Sequence, residues 1–462
     1  MEAKNNTKLK ILMLPWLSHG HISSFLELSR KLSQKNFHIY LCSTPINLKF
    51  IEKTIKNNIS LSIELIEFHL LPHPDLPPHL HTTNNLPLHL KPTLKNAMHK
   101  SSSIFSDILK KIKPDFLIYD YNQPWAAVAA SSIGIPSVLF LTSCAAIMAF
   151  GSHMGRDPNV EFPFPAIGIR GSYWRKKFLE MAVLRRRSEG NDLDDDSVKE
   201  IEKKEELIRR SYNITLLKTF REIEGKYIDY ASNLSEMRFI STGPLIKEPE
   251  NLDGGDGNSD HPIIKWLDTK GKSSTVFVSF GSEYYLSKEE KEEIAHGLEL
   301  SMTNFIWVLK SSSLESLLPE GFLERVGERG MVVNGWAAQA RILSHPSIGA
   351  FISHCGWGST MEAMGLGVPI VAIPMHLDQP FNAQVAVEVG LGLEVKRDEN
   401  GMLSREEISE VIREIVVEKK GEKIRDKAKQ VKEMIQKKGD EDVDIVVEEL
   451  LKLLNHKVIL AS

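Results

Sequence analysis

The sequence predicts an α/β fold made of two doubly wound parallel sheets, one in each half of the chain. Three observations lead to this prediction. Short apolar runs alternate with amphipathic segments over the first 145 residues, and the same alternation resumes at residue 275. A polar stretch with almost no apolar residue lies between the two regions. Alternating strands and helices are typical of a parallel sheet that helices cover on both faces.

Strand candidates in the first half are short apolar runs, and a segment with helical spacing separates the first two. A small-residue helix, WAAVAASSIG, separates the last two. The candidate strands are KILMLPW (10–16), FHIYLCST (37–44), LSIELIEFHL (61–70), DFLIYDY (115–121) and IPSVLFLT (135–142). We expect this sheet to belong to a first domain that spans residues 1–247.

The alternation stops in residues 170–212, which are charge-dense and include RRR at 185–187 and DDD at 194–196. Charge runs are typical of solvated surfaces, so we interpret this segment as a helix pair and loop rather than an interaction tail. The stretch EPENLDGGDGNSDHP at 248–262 combines Gly, Asp, Asn and Pro and is the predicted linker.

Strand-like runs return after the linker, with helical patterns between most of them. They are TVFVSFGS (275–282), FIWVLK (305–310), MVVNGW (331–336), IGAFISHC (348–355), VPIVAIPM (368–375) and LEVKR (393–397). We expect a second domain over residues 263–440, followed by a helical tail at 441–462. Ligands of doubly wound sheets bind beyond the carboxyl ends of the strands, so the functional motifs should follow strands.

Composition argues against several classes of function. The chain has 462 residues, and its 57 basic and 61 acidic side chains give a formal net charge of −4. That balance leaves no electrostatic footprint for nucleic acid or anionic lipid. Three cysteines, Cys42, Cys144 and Cys355, are too few for a disulfide framework and are typical of a reducing compartment.

The N-terminal segment ILMLPWL is too short for a signal peptide or a membrane span. We therefore expect a cytoplasmic protein with no membrane span. Without an entry signal, the N-x-S/T triplets should stay unglycosylated; they begin at Asn5, Asn58, Asn213 and Asn233.

The stretch HCGWGSTMEAMGLG at 354–367 follows an apolar run and opens a helix. Its glycines let the backbone approach a ligand, and a helix N-terminus offers unpaired N–H groups and a partial positive charge. The motif therefore predicts a phosphate site. Ser359 and Glu362 also fit S-x-x-E, so a capping box is the alternative, purely structural role.

Two other readings of the same stretch are weaker. A nucleophilic Cys355 would need a base and an orienting group, and no cysteine-enzyme signature is present. A metal site would need spacing such as C-x-x-C or H-E-x-x-H, which the sequence lacks. We interpret Cys355 as a small packed residue.

His19 and His21 lie between the first strand and the first helix. A helix N-terminus disfavours imidazolium and keeps such a ring neutral and basic. Asp120 ends another strand of the same half and could orient the base, although capping the next helix is an alternative role. His21 and Asp120 would make a dyad that deprotonates a hydroxyl. Because no G-x-S-x-G motif is present, an external hydroxyl fits better than an acyl-enzyme.

The 44 residues from WAAQ to HLDQ, at 336–379, resemble the signature box of the plant UDP-sugar-dependent glycosyltransferases of family 1. Further segments are similar to the branch-forming subgroup, which adds a sugar to one already on a triterpenoid or flavonoid glycoside. These segments are PWLSHGHIS, LIYDYNQPWAA, KTFREIEGKYIDY, TGPL and VFVSFGSEYYLSKEE.

The resemblance implies a GT-B fold: two facing Rossmann-like domains with a C-terminal helix crossing back. Residues 1–247 would bind the acceptor, 263–440 would bind the UDP-sugar, and 441–462 would pack back on the N-terminal domain.

The same resemblance implies a role for each site residue. His21 would be the catalytic base, Asp120 its partner, and Trp336 the platform on which uracil stacks. The backbone of Ala337 would read the uracil edge. The other implied donor contacts are Gln339 and Glu362 for the ribose, His354, Ser359 and Ser282 for the diphosphate, and Trp357 through its backbone, Asp378, Gln379 and Thr142 for the sugar. The family needs no metal, and the donor is a substrate rather than a cofactor.

Three positions depart from the family pattern. Gly358 stands where the family usually has an asparagine that contacts phosphate, so we expect weaker donor binding rather than lost activity. Ala338 and Ser24 each replace a proline and should loosen a turn.

The implied function is an inverting glycosyltransferase that adds glucose to a sugar already on a triterpenoid glycoside. Gln379 at the end of the box indicates UDP-glucose as the donor. Flavonoid glycosides or aglycones are the alternative acceptors, and a non-catalytic UDP-sugar-binding protein is the alternative from another class. The presence of both His21 and Asp120 disfavours the latter. A hydride-transfer enzyme is disfavoured because neither half carries G-x-G-x-x-G after its first strand.

The expected partners are a UDP-sugar and a small glycoside, with no nucleic acid, and the protein is expected to be a monomer. The segment 69–90 holds five histidines at irregular spacing, interrupted by prolines. A metal tract is the alternative, but we interpret the segment as a loop that forms the acceptor pocket together with 170–212.

Overall fold

The computed structural model describes residues 8–55, 61–157, 159–177, 214–235, 237–247, 262–309 and 318–461. The charge runs at 185–187 and 194–196, the linker up to residue 261, and the triplets at Asn5, Asn58 and Asn213 lie outside this part. The chain forms two compact units. Unit 1 comprises Met1–Asp157, Leu184–Leu245 and Asp440–Ser462, and unit 2 comprises Pro158–Val183 and Ile246–Gly439.

Unit 1 contains a parallel sheet whose strand order is β3-β2-β1-β4-β5-β6-β7. The apolar runs of the sequence become these strands because both faces of the sheet are covered, and every residue of β4 and β5 is buried. The strands are β1 Leu9–Leu14, β2 Phe37–Ser43, β3 Ile63–Glu67, β4 Phe116–Asp120, β5 Ser137–Leu141, β6 Ile214–Leu217 and β7 Arg238–Ser241.

Helices connect these strands. They are α1 His19–Gln34, α2 Pro45–Ile55, α3 Lys91–Lys100, α4 Ser102–Ile112, α5 Pro124–Ser131, α6 Ala145–Arg156 and α7 Arg221–Ser235. The helix α1 shows why the amphipathic segments fold this way. Its apolar residues Ile22, Phe25 and Leu32 recur at helical spacing and are all buried in the core.

Unit 2 contains a second parallel sheet, in the order β10-β9-β8-β11-β12-β13. Its strands are β8 Thr275–Ser279, β9 Asn304–Leu309, β10 Gly330–Asn334, β11 Ile348–Ser353, β12 Ile370–Ala372 and β13 Gly392–Glu394. Its helices are α8 Pro262–Asp268, α9 Lys288–Ser301, α10 Phe322–Val326, α11 Gln339–Leu343, α12 Trp357–Leu366, α13 Gln379–Glu388, α14 Arg405–Val416 and α15 Glu422–Lys438.

The last helix, α16 Glu441–Ala461, belongs to unit 1. Its residues Val443, Val446, Leu450 and Leu453 recur at helical spacing and join the core of that unit. The helix is also tied to strand β7, because the hydroxyl of Ser241 donates a hydrogen bond of 2.8 Å to a carboxylate oxygen of Asp442.

Both sheets reverse their strand order at one point, as doubly wound sheets do. The reversal lies between β1 and β4 in unit 1 and between β8 and β11 in unit 2. The crevice at such a point, beyond the carboxyl ends of the strands, is where these folds bind ligands. The predicted class of two doubly wound parallel sheets is confirmed, and it singles out the turns after these four strands.

The histidine-rich segment is a loop with two short 3₁₀ turns, Pro78–Leu80 and Leu88–Leu90, as predicted. One of its histidines is structural: buried His81 bonds through Nε2 to the carbonyl oxygen of Leu76, at 3.0 Å. Burial lowers the pKa of His81, so the ring packs as a neutral group. Among the helices of the described residues, none is long and apolar enough to cross a membrane.

Candidate active site

His21 and Asp120 meet at the switch point of unit 1. His21 lies in the first turn of α1, directly after β1, and Asp120 is the last residue of the neighbouring β4. Nδ1 of His21 lies 2.6 Å from Oδ2 of Asp120. The carboxylate is buried, whereas the imidazole side chain is 32% exposed. The imidazole therefore contacts a buried carboxylate and is itself partly accessible to a ligand.

Asp120 is held from its other side. Its Oδ1 accepts hydrogen bonds from the backbone N–H of Asn122 at 3.1 Å and from the side-chain amide of the same residue at 3.3 Å. Thr142, which follows the adjacent strand β5, brings its hydroxyl oxygen to 3.2 Å from Nδ1 of His21. Three neighbouring strands thus deliver a base, its carboxylate and a hydroxyl to one place.

These contacts indicate the tautomer of His21. A carboxylate only accepts hydrogen bonds, so Nδ1 carries the proton that points to Asp120. Nε2 is then the unprotonated nitrogen and can accept a proton. The dyad can deprotonate a hydroxyl group, and Asp120 can stabilise the imidazolium that results.

The second histidine of the motif has a structural role. The ring of His19 stacks on Phe50, with 4.5 Å between centroids and 12° between planes. Ser24 does not simply loosen its turn as expected. Its hydroxyl donates to the carbonyl oxygen of Gly20 at 2.9 Å and accepts from the buried ammonium of Lys218 at 3.1 Å. The sequence carried no signal for this lysine contact.

In unit 2, the helix α12 begins directly after the turn that follows β11. Its N-cap is Gly356, and Thr360 makes the first intrahelical bond, to the carbonyl oxygen of Gly356 at 3.0 Å. The N–H groups of residues 357–359 precede that bond, as they do at every helix start that binds an anion. The geometry of a phosphate site is therefore present.

The alternative role of Ser359 and Glu362, a capping box, is excluded by the structure. The N-cap is a glycine with no side-chain cap, and Ser359 already lies within the helix. Residues three apart in a helix share a face, so the two side chains are neighbours on α12. A capping box does occur at the start of α9, where Ser287 accepts from the N–H of Glu290 and Glu290 accepts from the N–H of Ser287.

Gln339 joins Ser359 and Glu362. Its side-chain amide donates to Oε2 of Glu362 at 2.7 Å and to the hydroxyl of Ser359 at 3.1 Å. Gln339 opens α11, so residues from two helix N-termini make one polar cluster. A carboxylate can accept several hydrogen bonds, including those of vicinal hydroxyls such as the ones on a ribose.

Trp336 follows β10, and its side chain is 75% exposed. A large exposed aromatic residue beside a polar cluster can serve as a stacking platform for a base. Ala337 packs partly against the core of unit 2, and Trp357 is buried, so only its backbone is available to a ligand.

His354 fills the space between two glycines. A Cβ on Gly281 would come within 2.8 Å of the imidazole ring, and one on Gly356 within 2.6 Å. Gly281 also has a φ of +73°, in the left-handed region that favours glycine, and Ser282 directly follows it. The turn that follows β8 therefore packs against the turn that precedes α12.

Burial, aided by neighbouring His376, lowers the pKa of His354 to about 4. The imidazole is neutral at pH 7, so it could meet an anion only as a hydrogen-bond donor and not as a cation. In the described part of the chain, no group bonds to its buried Nδ1.

The turn after β12 carries the remaining predicted sugar contacts. Asp378 is partly buried, and its Oδ2 accepts from the side-chain amide of Asn382 at 2.9 Å. Gln379 is buried, and its Oε1 accepts the backbone N–H groups of Met375 and His376. Its Nε2 lies 2.8 Å from a nitrogen of His376, which leaves one N–H for a ligand.

Cys355 has no catalytic setting. It is a free, fully buried thiol, and burial raises its pKa far above the ordinary value. Its backbone has a φ of +61°, an unusual conformation for a non-glycine residue. The residue shapes the turn between β11 and α12 and is packed as expected.

Two family profiles match the chain. Residues 7–247 match "Glycosyltransferase, N-terminal domain", and residues 258–428 match "UDP-glucoronosyl and UDP-glucosyl transferase". The β-D-glucosyl crocetin β-1,6-glucosyltransferase of Gardenia jasminoides is 47% identical over 96% of this chain and 98% of its own length. A mogroside IIIx synthase of Siraitia grosvenorii is 46% identical over 98% of this chain and 94% of its own.

A third relative differs in the sugar that its name specifies. The cyanidin-3-O-glucoside 2-O-glucuronosyltransferase of Bellis perennis is 44% identical over 98% of this chain and 99% of its own length.

Solved structures share the fold. A UGT of Glycyrrhiza uralensis, complexed with glycyrrhetinic acid 3-O-monoglucuronide, has a TM-score of 0.82 at 24% identity, over 98% of this chain and 99% of that one. A UGT transferase of Siraitia grosvenorii in complex with UDP has a TM-score of 0.73 at 26% identity, over 96% and 100%. The predicted α/β fold with two Rossmann-like domains is confirmed. On these grounds the chain belongs to the UDP-glucoronosyl and UDP-glucosyl transferase family and is a UDP-glycosyltransferase.

Proposed function

We propose that this enzyme transfers glucose from UDP-glucose, with inversion, to a hydroxyl of a sugar already attached to a triterpenoid. The observation that carries the proposal is the 2.6 Å contact between His21 and Asp120, which assigns the proton to Nδ1 and makes Nε2 the basic nitrogen of the imidazole. Two relatives are named for acceptors that already carry glucose, β-D-glucosyl crocetin and cyanidin-3-O-glucoside, which supports a glycoside as acceptor.

In the proposed mechanism, Nε2 of His21 takes the proton of the acceptor hydroxyl while that oxygen attacks the anomeric carbon. A carbon–oxygen bond forms on one face, and the bond to UDP breaks on the other, so the anomeric configuration inverts. Asp120 stabilises the imidazolium. General base catalysis of this kind contributes about 10²–10⁴-fold.

The proposed donor site lies at the turns of unit 2. Trp336 would stack on uracil, with the backbone of Ala337 at the uracil edge, and Gln339 and Glu362 would hold the ribose. The N-terminus of α12 would stabilise the charge that grows on the leaving diphosphate. His354, Ser359 and Ser282 are the proposed side-chain contacts to that diphosphate, with Gly358 contributing only its backbone.

The proposed sugar contacts are Asp378, Gln379, the backbone of Trp357 and the hydroxyl of Thr142. No metal is needed in this scheme, because helix N–H groups and a neutral imidazole meet the diphosphate. We propose no cofactor besides the donor substrate.

Donor identity is tested by competition among UDP-glucose, UDP-galactose, UDP-xylose and UDP-glucuronate. We expect UDP-glucose to have the highest kcat/KM. The glucuronosyltransferase among the relatives makes UDP-glucuronate a necessary competitor in this test. An equal or reversed preference would overturn the assignment of glucose.

The acceptor is tested by incubation with UDP-glucose and a panel of triterpenoid glycosides, flavonoid glycosides and the corresponding aglycones. The mass of a product raised by one hexose identifies the acceptor, and fragmentation shows whether a sugar carries the new residue. Preference for flavonoid glycosides or for aglycones would favour the second candidate. UDP binding without any product would instead favour a non-catalytic UDP-sugar-binding protein.

We also propose the sequence-derived domain assignment, with acceptor binding by residues 1–247 and UDP-sugar binding by residues 263–440. The linker would be 248–262, and the helix at 441–462 would pack on the acceptor-binding domain. We further propose that the protein is cytoplasmic and monomeric. The three buried cysteines, none of them in a disulfide, support a reducing compartment. Light scattering at working concentrations tests the oligomeric state.

A further inference from the structure

Asn382, on α13, is fully buried and binds two acceptors at once. Its side-chain Nδ2 donates to the backbone carbonyl oxygen of Cys355 at 2.9 Å and to Oδ2 of Asp378 at 2.9 Å. Both partners only accept hydrogen bonds, so the chemistry fixes which end of the amide faces them. The buried Oδ1 of Asn382 has no bonding partner in the described part of the chain. In the described part of the chain, the side-chain amide of Asn382 therefore acts through its two donated bonds alone.

The two acceptors belong to different turns of the proposed donor site. Cys355 lies between β11 and α12, at the proposed diphosphate site, and Asp378 lies between β12 and α13, at the proposed sugar site. Both turns contain a non-glycine residue with positive φ: +61° at Cys355 and +57° at Leu377. Such conformations persist only where the surroundings hold them. Asn382 is bonded to both turns through a single NH₂ group.

The two oxygens of the Asp378 carboxylate also differ in their contacts. Oδ2 is anchored to Asn382, and within the described residues no protein group donates to Oδ1. The carboxylate is only partly buried. One oxygen is therefore fixed by the protein, and the other is available to accept from a ligand hydroxyl.

We infer that Asn382 is a positioning residue for the donor sugar, which holds the Asp378 carboxylate at a set distance from the diphosphate turn. This inference rests on the proposed function, in which Asp378 accepts from a sugar hydroxyl. Asn382 itself touches no substrate. Its loss should weaken recognition of the sugar and leave the binding of UDP largely intact.

The test compares the dissociation constants of UDP and UDP-glucose, measured by calorimetry, in the wild type and Asn382→Leu. We expect the ratio of the UDP-glucose constant to the UDP constant to rise at least about tenfold. The KM for UDP-glucose should rise, whereas the KM for acceptor should stay within about twofold.

A matched control is available on the same helix. Gln384 is also buried and also makes two hydrogen bonds, to the backbone N–H and C=O of Gly168, both at 2.8 Å. Gln384→Leu removes as many buried bonds without touching either turn. It should leave the ratio unchanged, even if it lowers the melting temperature. An equal rise in both variants would reduce Asn382 to a structural residue and overturn the inference.

Asp378→Ala separates the two possible failures. If this variant leaves the ratio unchanged, the proposed sugar contact fails and the role of Asn382 fails with it. If it raises the ratio while Asn382→Leu does not, only the inference about Asn382 fails.

The exchanged double variant Asp378→Asn with Asn382→Asp restores a donor–acceptor pair with reversed direction. It should recover only part of the melting temperature lost in Asn382→Asp and should not recover sugar recognition, because a carboxylate at 382 cannot donate to the carbonyl oxygen of Cys355 and the two turns stay unlinked. Should Asn382→Leu not fold, Asn382→Ser replaces it with the same expected rise, because a serine hydroxyl has one hydrogen and can serve only one of the two acceptors. Recovery of the ratio in the exchanged variant would contradict the positioning role.

Discussion

Oε2 of Glu362 accepts a hydrogen bond of 2.7 Å from the side-chain amide of Gln339, which lies 23 residues earlier in the chain. The same amide reaches the hydroxyl of Ser359, so one glutamine orients two residues of α12. A carboxylate has several lone pairs, so its chemistry suits it to accept from ligand hydroxyls as well. If the carboxylate of Glu362 accepts from both ribose hydroxyls, its substitution should weaken recognition of the ribose and leave recognition of uracil unchanged.

Glu362→Gln should weaken UDP binding by about 10–100-fold, because hydrogen bonds to a charged acceptor contribute about 1.5–3 kcal/mol. The sharper measurement compares UDP with 2′-deoxy-UDP. The wild type should discriminate strongly between them, and the variant should discriminate much less. Gln339→Leu should have a smaller effect of the same kind. Equal discrimination in the wild type and Glu362→Gln would show that the ribose lies elsewhere.

Substitutions in the dyad of His21 and Asp120 should lower turnover without weakening donor binding. His21→Ala should lower kcat by about 10²–10⁴-fold, because the base is lost. The dissociation constant of UDP-glucose should change by less than about twofold. Asp120→Asn should lie between the wild type and His21→Ala, since the imidazole then loses its anionic partner. Steady-state kinetics and calorimetry measure both quantities.

His19→Ala is the matched control for the dyad, because His19 lies in the same helix turn and stacks on Phe50. It should retain kcat within a few-fold. Normal turnover by His21→Ala, or an equal loss in His19→Ala, would show that the base is misassigned.

Trp336→Ala should raise the KM for UDP-glucose by about 5–100-fold, as a stacked base contributes about 1–3 kcal/mol. Because the side chain is 75% exposed, the melting temperature should hardly change. Trp336→Phe should keep most of the affinity, since a phenyl ring still stacks. Leu323→Ala, at another exposed apolar side chain of unit 2, is the control. An unchanged KM in Trp336→Ala would exclude stacking at this position.

Gly358→Asn should tighten donor binding by about 3–10-fold, because a side-chain amide at the start of α12 would add one hydrogen bond to the diphosphate. Gly155→Asn in α6 is a control for helix propensity, since a Cβ at Gly155 meets nothing within 4 Å. Both variants should gain similar thermal stability. A gain of donor affinity in neither variant would count against the weakened phosphate contact.

Glu394, at the end of β13, predicts a pH dependence of stability. Burial raises the pKa of its carboxyl to about 7, although the guanidinium groups of Arg170 and Arg397 oppose this. Between its ordinary value of 4.5 and about 7, the folded protein holds a proton that the unfolded chain releases. The contribution of Glu394 is therefore fully present at low pH and is lost as the pH rises through about 7.

Glu394→Gln removes this titration. It should match the wild type near pH 4.5 and exceed it at pH 8 by up to about 3 kcal/mol, less whatever attraction to the two arginines is lost. Urea unfolding at several pH values measures the difference. Glu410→Gln, at an exposed carboxylate of the same unit, is the control variant. A difference that does not vary with pH would mean that Glu394 ionises normally.

The sequence alone predicted the described strands of both sheets except β6 and β7, and it predicted the turns that carry the proposed site. Apolar runs and helical spacing report which faces of an element are buried, and burial in this fold covers both faces of each sheet. Because ligand sites of doubly wound sheets follow strand ends, the sequence already indicates His21, Asp120 and the stretch at 354–359 as candidate site residues. The resemblance to a known family then supplied roles that spacing does not.

The S-x-x-E pattern at Ser359, which forms no capping box, shows the limit of a local pattern. S-x-x-E describes residues three apart, which is also the spacing of neighbours on one helix face. The pattern therefore cannot tell an N-cap from a position within the first turn. The structure decides this, because Gly356 leaves the helical backbone and Ser359 does not.

The pairings themselves came only from the tertiary structure. His21 and Asp120 are 99 residues apart, and they meet because β1 and β4 are neighbours in the sheet. Asn382 bonds to Cys355, which lies 27 residues earlier in the chain. The pKa of Glu394 is raised because its carboxyl is buried in the folded protein. The sequence determines which elements form and where each side chain stands along them. Strand order and packing determine which side chains touch, since those distances depend on elements far apart in the chain.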